Sequence, residues 1–525
     1  MTGKLLSAAA VALLAIAAMQ PAFRAGYVEL DDREYIANNP RVLSLSPGNI
    51  ARIFSVREQR LYTPLTTLSF ALDYRLFGQN LEGYHAENIL FHALNSVLVM
   101  RLLAALSGSA GMAFAGAALF AVHPMHVESV AWLAERKDML YGALYLAAFL
   151  LYLGWRERGG KWRYGLSLAA FALSLLAKPM AVTLPLALLI ADKMRGRAVD
   201  EKAVREKIPF FALAGLFVWN VLRHPGGAEA ALGGNIAMRI CAPLYAMLFY
   251  IVKLTVPAGL SPIYNIPQGG MGALALYAAV FCVAAFLVWL WVRDAEAAPL
   301  WLLFFAATLL PVMQVVPFGP VITADRYSYI PSLGIFMAWF YAARKLARRL
   351  ETRLDPRIMR NAGITAAAVI VAVFAVMARE RAALWGDAVA LWKDSVRKHP
   401  SPMGYTALGC SWLERGFPEA AEQFFGVALT LNPNHATAII ALGNARAERG
   451  DWANALAAYR SAMYILPENP FAIANVANVH FHMGDLDAAQ TEMKKAVSLL
   501  PDYPLFRDAL SRYGAAARER ARQGK

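Results

Sequence analysis

The chain has 525 residues, of which 58% are hydrophobic and 17% charged, with a formal net charge of +14. A soluble domain carries roughly a quarter of its residues as charges, so the composition excludes an ordinary soluble enzyme and points into the membrane. The positive charge does not signal nucleic acid, because no groove-reading motif accompanies it and much of it fills short gaps between apolar runs.

In chain order, the apolar run from Leu5 to Met19 comes first. It resembles a signal sequence, but the many runs that follow favour a retained first span. Further spans are expected near residues 86–106, 108–122, 138–155, 163–177, 180–194, 208–222, 237–256, 273–293, 298–316, 328–346 and 361–379. A full crossing takes roughly 20 apolar residues, and several of these runs fall short of that. The gap at 156–163 holds Arg156, Arg158, Lys161 and Arg163. The gap at 193–207 holds Lys193, Arg195, Arg197, Lys202, Arg205 and Lys207, and the stretch at 344–360 holds seven further basic residues. By the positive-inside rule these three loops face the cytoplasm. Placing all three inside requires one candidate within 208–256 to be re-entrant or interfacial. The result is a bundle of about eleven crossings with everything after residue 380 outside the cytoplasm. Cys241, Cys282 and Cys410 form no pairing framework.

The stretch from Arg24 to about Gly83 is a long polar loop with an amphipathic pattern, expected to form short helices on the membrane surface. Asp31 and Asp32 lie in it, just after the first span. Adjacent carboxylates at a low-dielectric boundary repel each other, which suits one of them to take a proton as a general base. The same pair also reads as two hydrated loop acids. His85, Glu87, Asn88, His92 and Asn95 enter the second span at helical spacing, as an interior polar stripe or as packing contacts. The run from Ala121 to Met139 concentrates His123, His126, Glu128, Glu135, Arg136, Lys137 and Asp138 and reads as an outer loop between two short spans. A helical zinc pair would place its histidines at i and i+4, whereas these are three apart with Pro124 between them. Arg136 and Lys137 better suit an anionic phosphate. Lys178 sits between two apolar runs and Asp325-Arg326 opens another. Ionisable groups at such places are functional candidates, with snorkelling or structural pairing as the alternatives.

The last third repeats. Pro433, Pro467 and Pro501 are 34 residues apart, and so are Gly416, Gly450 and Gly484. Ala421, Ala455 and Ala489 keep the same period, as do Phe425, Tyr459 and Met493, and Ala428, Ala462 and Ala496. Small residues where paired helices touch, with a proline closing each unit, are the tetratricopeptide signature. The units are 402–435, 436–469 and 470–503, inside a repeat region of 381–503, and 504–525 reads as a polar capping helix.

Seven ordered motifs then carry a resemblance. They are Tyr62-Thr-Pro-Leu-Thr, Leu72-Asp-Tyr, Gly83-Tyr-His, His123-Pro-Met-His-Val-Glu-Ser-Val-Ala-Trp, Glu135-Arg-Lys-Asp, Ala177-Lys-Pro-Met and Ala324-Asp-Arg-Tyr-Ser-Tyr-Ile-Pro. Together with the repeats they resemble bacterial membrane proteins similar to the eukaryotic transmembrane and tetratricopeptide-repeat O-mannosyltransferases. These are in turn similar to the protein O-mannosyltransferase group of C-type glycosyltransferases. The resemblance implies an all-α chain: a polytopic membrane bundle of C-type glycosyltransferase architecture over 1–380, followed by a tetratricopeptide-repeat α-solenoid. It implies a polyprenyl-phosphate-linked sugar donor and an acidic motif in the first outer loop, here Asp31-Asp32. Thr63 stands where the eukaryotic relatives often carry Arg.

On that reading a sugar passes from the lipid phosphate to a hydroxyl of a protein or envelope glycan on the outer face of a bacterial inner membrane. Asp32 is the expected base, with Asp31 as its alternate. Arg136, Lys137, Arg326 and Lys178 are expected to hold the phosphate, whose leaving needs charge stabilisation rather than a general acid. His123, His126, Glu128, Asp325 and Tyr62 are the further donor or acceptor contacts. The repeats dock the acceptor, and membrane lipid is the surrounding solvent. No cofactor is expected, with a divalent cation at the carboxylates as the open alternative. The rival from another class is a non-catalytic scaffold that recruits envelope or pilus components through its repeats. A transporter fits less well, because inverted repeats with matching broken helices are absent from the sequence pattern.

Overall fold

The computed structural model describes residues 2–28, 31–55, 62–223, 236–265, 270–292, 297–313, 321–350, 355–501 and 503–523. All regular structure among them is helical. The chain divides into two compact units. The first comprises residues 1–27 and 34–387; the second comprises 388–525 together with the short segment 28–33.

In the first unit, four helices are long and apolar enough to cross a membrane: Thr2–Arg24, Leu81–Ser107, Leu133–Arg158 and Pro356–Trp385. A fifth arises if Ala110–Val122 and Pro124–Ala131, bent by 51°, count as one broken span. Shorter apolar helices among the described residues include Ile208–Asn220 and Ala298–Val312. Length and composition together therefore flag only four or five of the eleven expected crossings among the described residues. Proline is one reason: Pro124 and Pro179 each open a 3₁₀ turn that interrupts an apolar run, and Pro311 is the second residue of another. The re-entrant element expected within 208–256 lies partly outside the described residues, since 224–235 are not among them, and so does Arg353 of the third basic stretch.

The first loop does form short helices, Pro47–Ser55 and Pro64–Phe77, with tight turns at Arg33–Ala37 and Pro40–Leu43. Asn80 caps Leu81–Ser107 by accepting from the Glu82 amide at 3.1 Å. The polar stripe of that helix faces inward: His85, Asn88, His92, Asn95 and Ser96 are all buried. Asn88 donates to the Val130 carbonyl and His92 contacts that of Ala121, at 3.1 and 3.0 Å. These carbonyls lie at the ends of the broken helix, where intrahelical partners run out. Broken helices persist in a membrane protein only when such groups are satisfied internally, and the stripe does this. Gly334 lets Ser332–Leu350 press against Ala298–Leu309, because a Cβ there would lie 2.5 Å from the Trp301 carbonyl oxygen.

In the second unit, helix pairs follow the 34-residue period: Pro402–Glu414 with Pro418–Leu431, Ala436–Glu448 with Trp452–Ile465, and Pro470–His482 with Leu486–Leu499. Ala388–Lys398 precedes them and Pro504–Gln523 follows. Gly416, Gly450 and Gly484 take positive φ of 80°, 77° and 82°, the left-handed step that turns each first helix into its second. The column of alanines at 421, 455 and 489 is buried, as are Phe425, Tyr459 and Met493. A Cβ on Gly409 or Gly443 would come within 2.4 or 2.5 Å of the Phe425 or Tyr459 ring, so glycine and ring are matched in the first two units.

Candidate active site

Residues 121–139, expected as an outer loop, are buried without exception. They form successive short turns, Pro124–His126, Val127–Ala131 and Leu133–Glu135, before the long helix that starts at Arg136. His123 sets the first turn by accepting the Met125 amide at 3.2 Å. The break carries three carboxylates, Glu128, Glu135 and Asp138, into the protein interior. Buried charge is costly unless it is paired, and cations from distant elements pair with each one.

Lys178, on the extended residue after Lys161–Ala177, places its Nζ 2.6 Å from Asp138 Oδ1 and 3.0 Å from Glu135 Oε2. Burial works against its ammonium, but those two carboxylates hold it above the usual lysine value. Arg326, in the turn Asp325–Ser328, forms an ion pair with Glu128 and brings its Nε 3.4 Å from Glu135 Oε1. Its guanidinium lies over the rings of Trp132 and Tyr327, at 5.1 and 5.0 Å. Lys137 Nζ is 3.4 Å from the same Glu135 oxygen and 4.5 Å from the Tyr35 ring centre. Ser129 donates to Asp138 Oδ2 at 2.9 Å. Lys137, Lys178 and Arg326 thus converge on Glu135 from three separate parts of the sequence. Their side chains keep 5%, 7% and 15% exposure, whereas Arg136 has none.

Arg136, expected among the phosphate contacts, has its partners outside this cluster. Successive helical residues point about 100° apart, so Arg136 and its neighbour Lys137 serve different partners. Arg136 pairs with Asp73 and Glu87 at 2.9 and 2.8 Å, donates to the Tyr84 carbonyl at 2.8 Å, and bonds Asn88. Those contacts make it a strut between Pro64–Phe77, Leu81–Ser107 and its own helix. Asp73 lies outside the spanning helices. Burial pushes its carboxyl up to about 7, with Arg136 holding it down and the Glu87 carboxylate adding to the rise.

The remaining expected residues take structural partners. His123 and His126 contact the carbonyls of Leu254 and Phe120 at 3.1 and 2.8 Å, with rings packed near Phe336, Phe374 and Tyr329. They sit as core histidines within an aromatic nest. Asp325 accepts from Tyr264 at 2.6 Å and pairs with Arg381 at 2.8 Å. Burial raises its carboxyl, with Arg381 opposing the rise. Tyr62 donates to the Phe54 carbonyl at 2.6 Å. Asp31 and Asp32 fall in segment 28–33, which groups with the second unit. Asp32 is buried and accepts the Val28 amide at 2.8 Å, and Arg33 pairs with Glu414.

Arg381, the partner of Asp325, is a residue that the sequence reading does not single out, whereas Asp73 stands in its Leu72-Asp-Tyr motif. Arg381 carried a usable signal: an arginine in the last turns of an apolar spanning helix demands a buried partner.

Similarity to known proteins agrees with this architecture. A tetratricopeptide-repeat family profile matches residues 446–513. Protein O-mannosyl-transferase Tmtc2 of Drosophila melanogaster is 37% identical over 153 residues, covering 27% of this chain and 16% of that one. Protein O-mannosyl-transferase F38B6.6 of Caenorhabditis elegans is 24% identical over 433 residues, covering 77% of this chain and 60% of its own. The chain is similar to the transmembrane and tetratricopeptide-repeat O-mannosyltransferases. Its matches to these O-mannosyltransferase relatives span 16% and 60% of their lengths. Among solved structures, ArnT from Cupriavidus metallidurans bound to undecaprenyl phosphate covers 88% of this chain and 80% of its own, at 16% identity and a TM-score of 0.38. A superposition that loose carries no argument about function.

Proposed function

We propose that the chain is a glycosyltransferase that moves a sugar from a polyprenyl-phosphate carrier to an acceptor hydroxyl, with Lys137, Lys178 and Arg326 holding the phosphate. The observation that carries the reading is the convergence of those three cations on one buried carboxylate, in a chain related to O-mannosyltransferases. In this reaction the bond from the anomeric carbon to the phosphate oxygen breaks, and its electron pair stays on the phosphate. The acceptor oxygen bonds the anomeric carbon while its proton passes to a carboxylate. The phosphate changes from a singly charged diester to a monoester of higher charge. A preorganised set of cations stabilises charge that develops in this way.

Asp32 is our choice for the base, with Asp31 as its alternate, because both follow the first candidate span by only a few residues. The repeats are the element for binding the acceptor, a protein or an envelope glycan. The reaction takes place on the outer face of a bacterial inner membrane, with no cofactor, and runs through a bundle with more crossings than helix length alone assigns.

Two expected results test this. Arg326→Ala is expected to weaken binding of a polyprenyl-phosphate sugar by roughly 10- to 100-fold, since a hydrogen bond to a charged group is worth about 1.5–3 kcal/mol. Arg326→Lys keeps the charge but loses the planar fork and is expected to fall between the two. Donor binding measured on detergent-purified, folded protein decides it; unchanged affinity in Arg326→Ala would mean that the phosphate sits elsewhere. The outer-face assignment rests on loop charge and predicts that a reporter fluorescent only in the cytosol stays dark when fused after Lys525. A bright fusion would place the repeats on the wrong side of the membrane for this reading.

A further inference from the structure

Glu135 has no role in the reaction as proposed, yet it is the residue on which the cluster is built. Its Oε1 lies 3.4 Å from both Lys137 Nζ and Arg326 Nε, and its Oε2 lies 3.0 Å from Lys178 Nζ. It is buried, and it ends the 3₁₀ turn Leu133–Glu135, so backbone structure fixes it in place. All three of its cation contacts are longer than a good charge-assisted hydrogen bond of about 2.7–2.9 Å. Glu135 therefore gathers the three cations, while Lys178 and Arg326 keep their closer contacts to Asp138 and Glu128.

Lys137, Lys178 and Arg326 face the carboxylates Glu128, Glu135 and Asp138, so three positive groups balance three negative ones. A site meant only to attract phosphate would carry a surplus of positive charge. This one does not. The product monoester bears more negative charge than the donor diester, so a positive surplus would bind product more tightly than donor and slow turnover.

We infer that Glu135 is a positioning residue that stands in for the phosphate while the site is empty and, by cancelling one positive charge, lets the monophosphate product leave. This rests on the proposed function and adds a residue and a step to it. Electrostatics gives the direction. Replacing Glu135 by Gln keeps its shape and leaves one positive charge uncompensated, and a phosphate oxygen would then meet the three cations without competition from Glu135, while Glu128 and Asp138 stay paired with Arg326 and Lys178.

The test uses the full chain in detergent, with a short-chain polyprenyl monophosphate as probe and the corresponding polyprenol as control. Glu135→Gln is expected to bind the monophosphate roughly tenfold more tightly. In turnover its kcat and its KM for the donor should both fall, a split that simple structural damage does not produce. Glu135→Asp, which keeps the charge, is expected to stay close to wild type. A second comparison does not depend on the folding of the single variant. Lys137→Gln weakens monophosphate binding, and Glu135→Gln/Lys137→Gln, with charge balance restored, recovers most of that loss. If the double variant binds no better than Lys137→Gln, or Glu135→Gln binds no better than wild type, the inference is overturned. If the wild type does not prefer the monophosphate to polyprenol, the phosphate site itself is misplaced and the proposed function fails first.

Discussion

Arg136→Ala is expected to destabilise the membrane unit by about 3–5 kcal/mol, the usual cost of removing one partner from a buried ion pair. Arg136 is fully buried and links Asp73, Glu87, Asn88 and the Tyr84 carbonyl, so its loss leaves two carboxylates facing each other with no cation between them. The loss should depend on pH, and its sign follows from Asp73. In the folded protein burial holds that carboxyl near 7, above its unfolded value of about 3.9. A raised carboxyl costs stability as pH climbs from the unfolded value through the folded one, because ionisation is then harder folded than unfolded. Arg136 is the group that limits the rise. Without it, the penalty grows and extends to higher pH. Thermal unfolding in detergent should therefore show a larger deficit for Arg136→Ala at pH 8 than at pH 5.5, with Asp73→Asn restoring part of it. A variant that melts like wild type at both values would show that Arg136 is no strut.

The second large effect is on chemistry. Asp32→Asn is expected to lower sugar transfer by about 10²–10⁴, the range lost with a general base, while donor-lipid binding stays intact. Asn keeps the shape and an acceptor oxygen for the Val28 amide, which Asp32 receives at 2.8 Å, but it cannot take a proton. Asp31→Asn should do less, since Asp31 is the alternate. Initial rates with purified protein, a polyprenyl-phosphate sugar and an acceptor measure this; full activity in Asp32→Asn would remove that residue from the mechanism. Repeating the assay with a chelator tests the metal alternative separately.

The repeats were legible from sequence because their information is local and periodic. Each column recurs every 34 residues, and one misplaced column would bury a polar residue or expose Phe425, Tyr459 or Met493. The long apolar helices were legible for a similar reason, since length and composition suffice. The segment 123–138 was not. Its histidines, proline and charges carry the composition of a loop, and only partners far along the chain make its burial tolerable. Glu128 meets Arg326, 198 residues away, and His123 meets Leu254, 131 residues away. No window of sequence contains both members of such a pair. Arg136 and Lys137 show the limit at its sharpest. As adjacent cations they read as one phosphate-binding patch, yet helix geometry sends one to Asp73 and the other to Glu135. What sequence did supply was the set of ionisable residues that the membrane unit would have to neutralise. The structure supplied the pairing.

The most direct measurement of the central claim is mass spectrometry of membrane and envelope glycoproteins and glycans from three otherwise identical strains. One carries the wild-type chain, one Asp32→Asn, and one no chain. A lipid-linked sugar transferase predicts a sugar mass on specific acceptor hydroxyls in the first strain that is lost in both of the others. Identical profiles in all three strains would contradict the account.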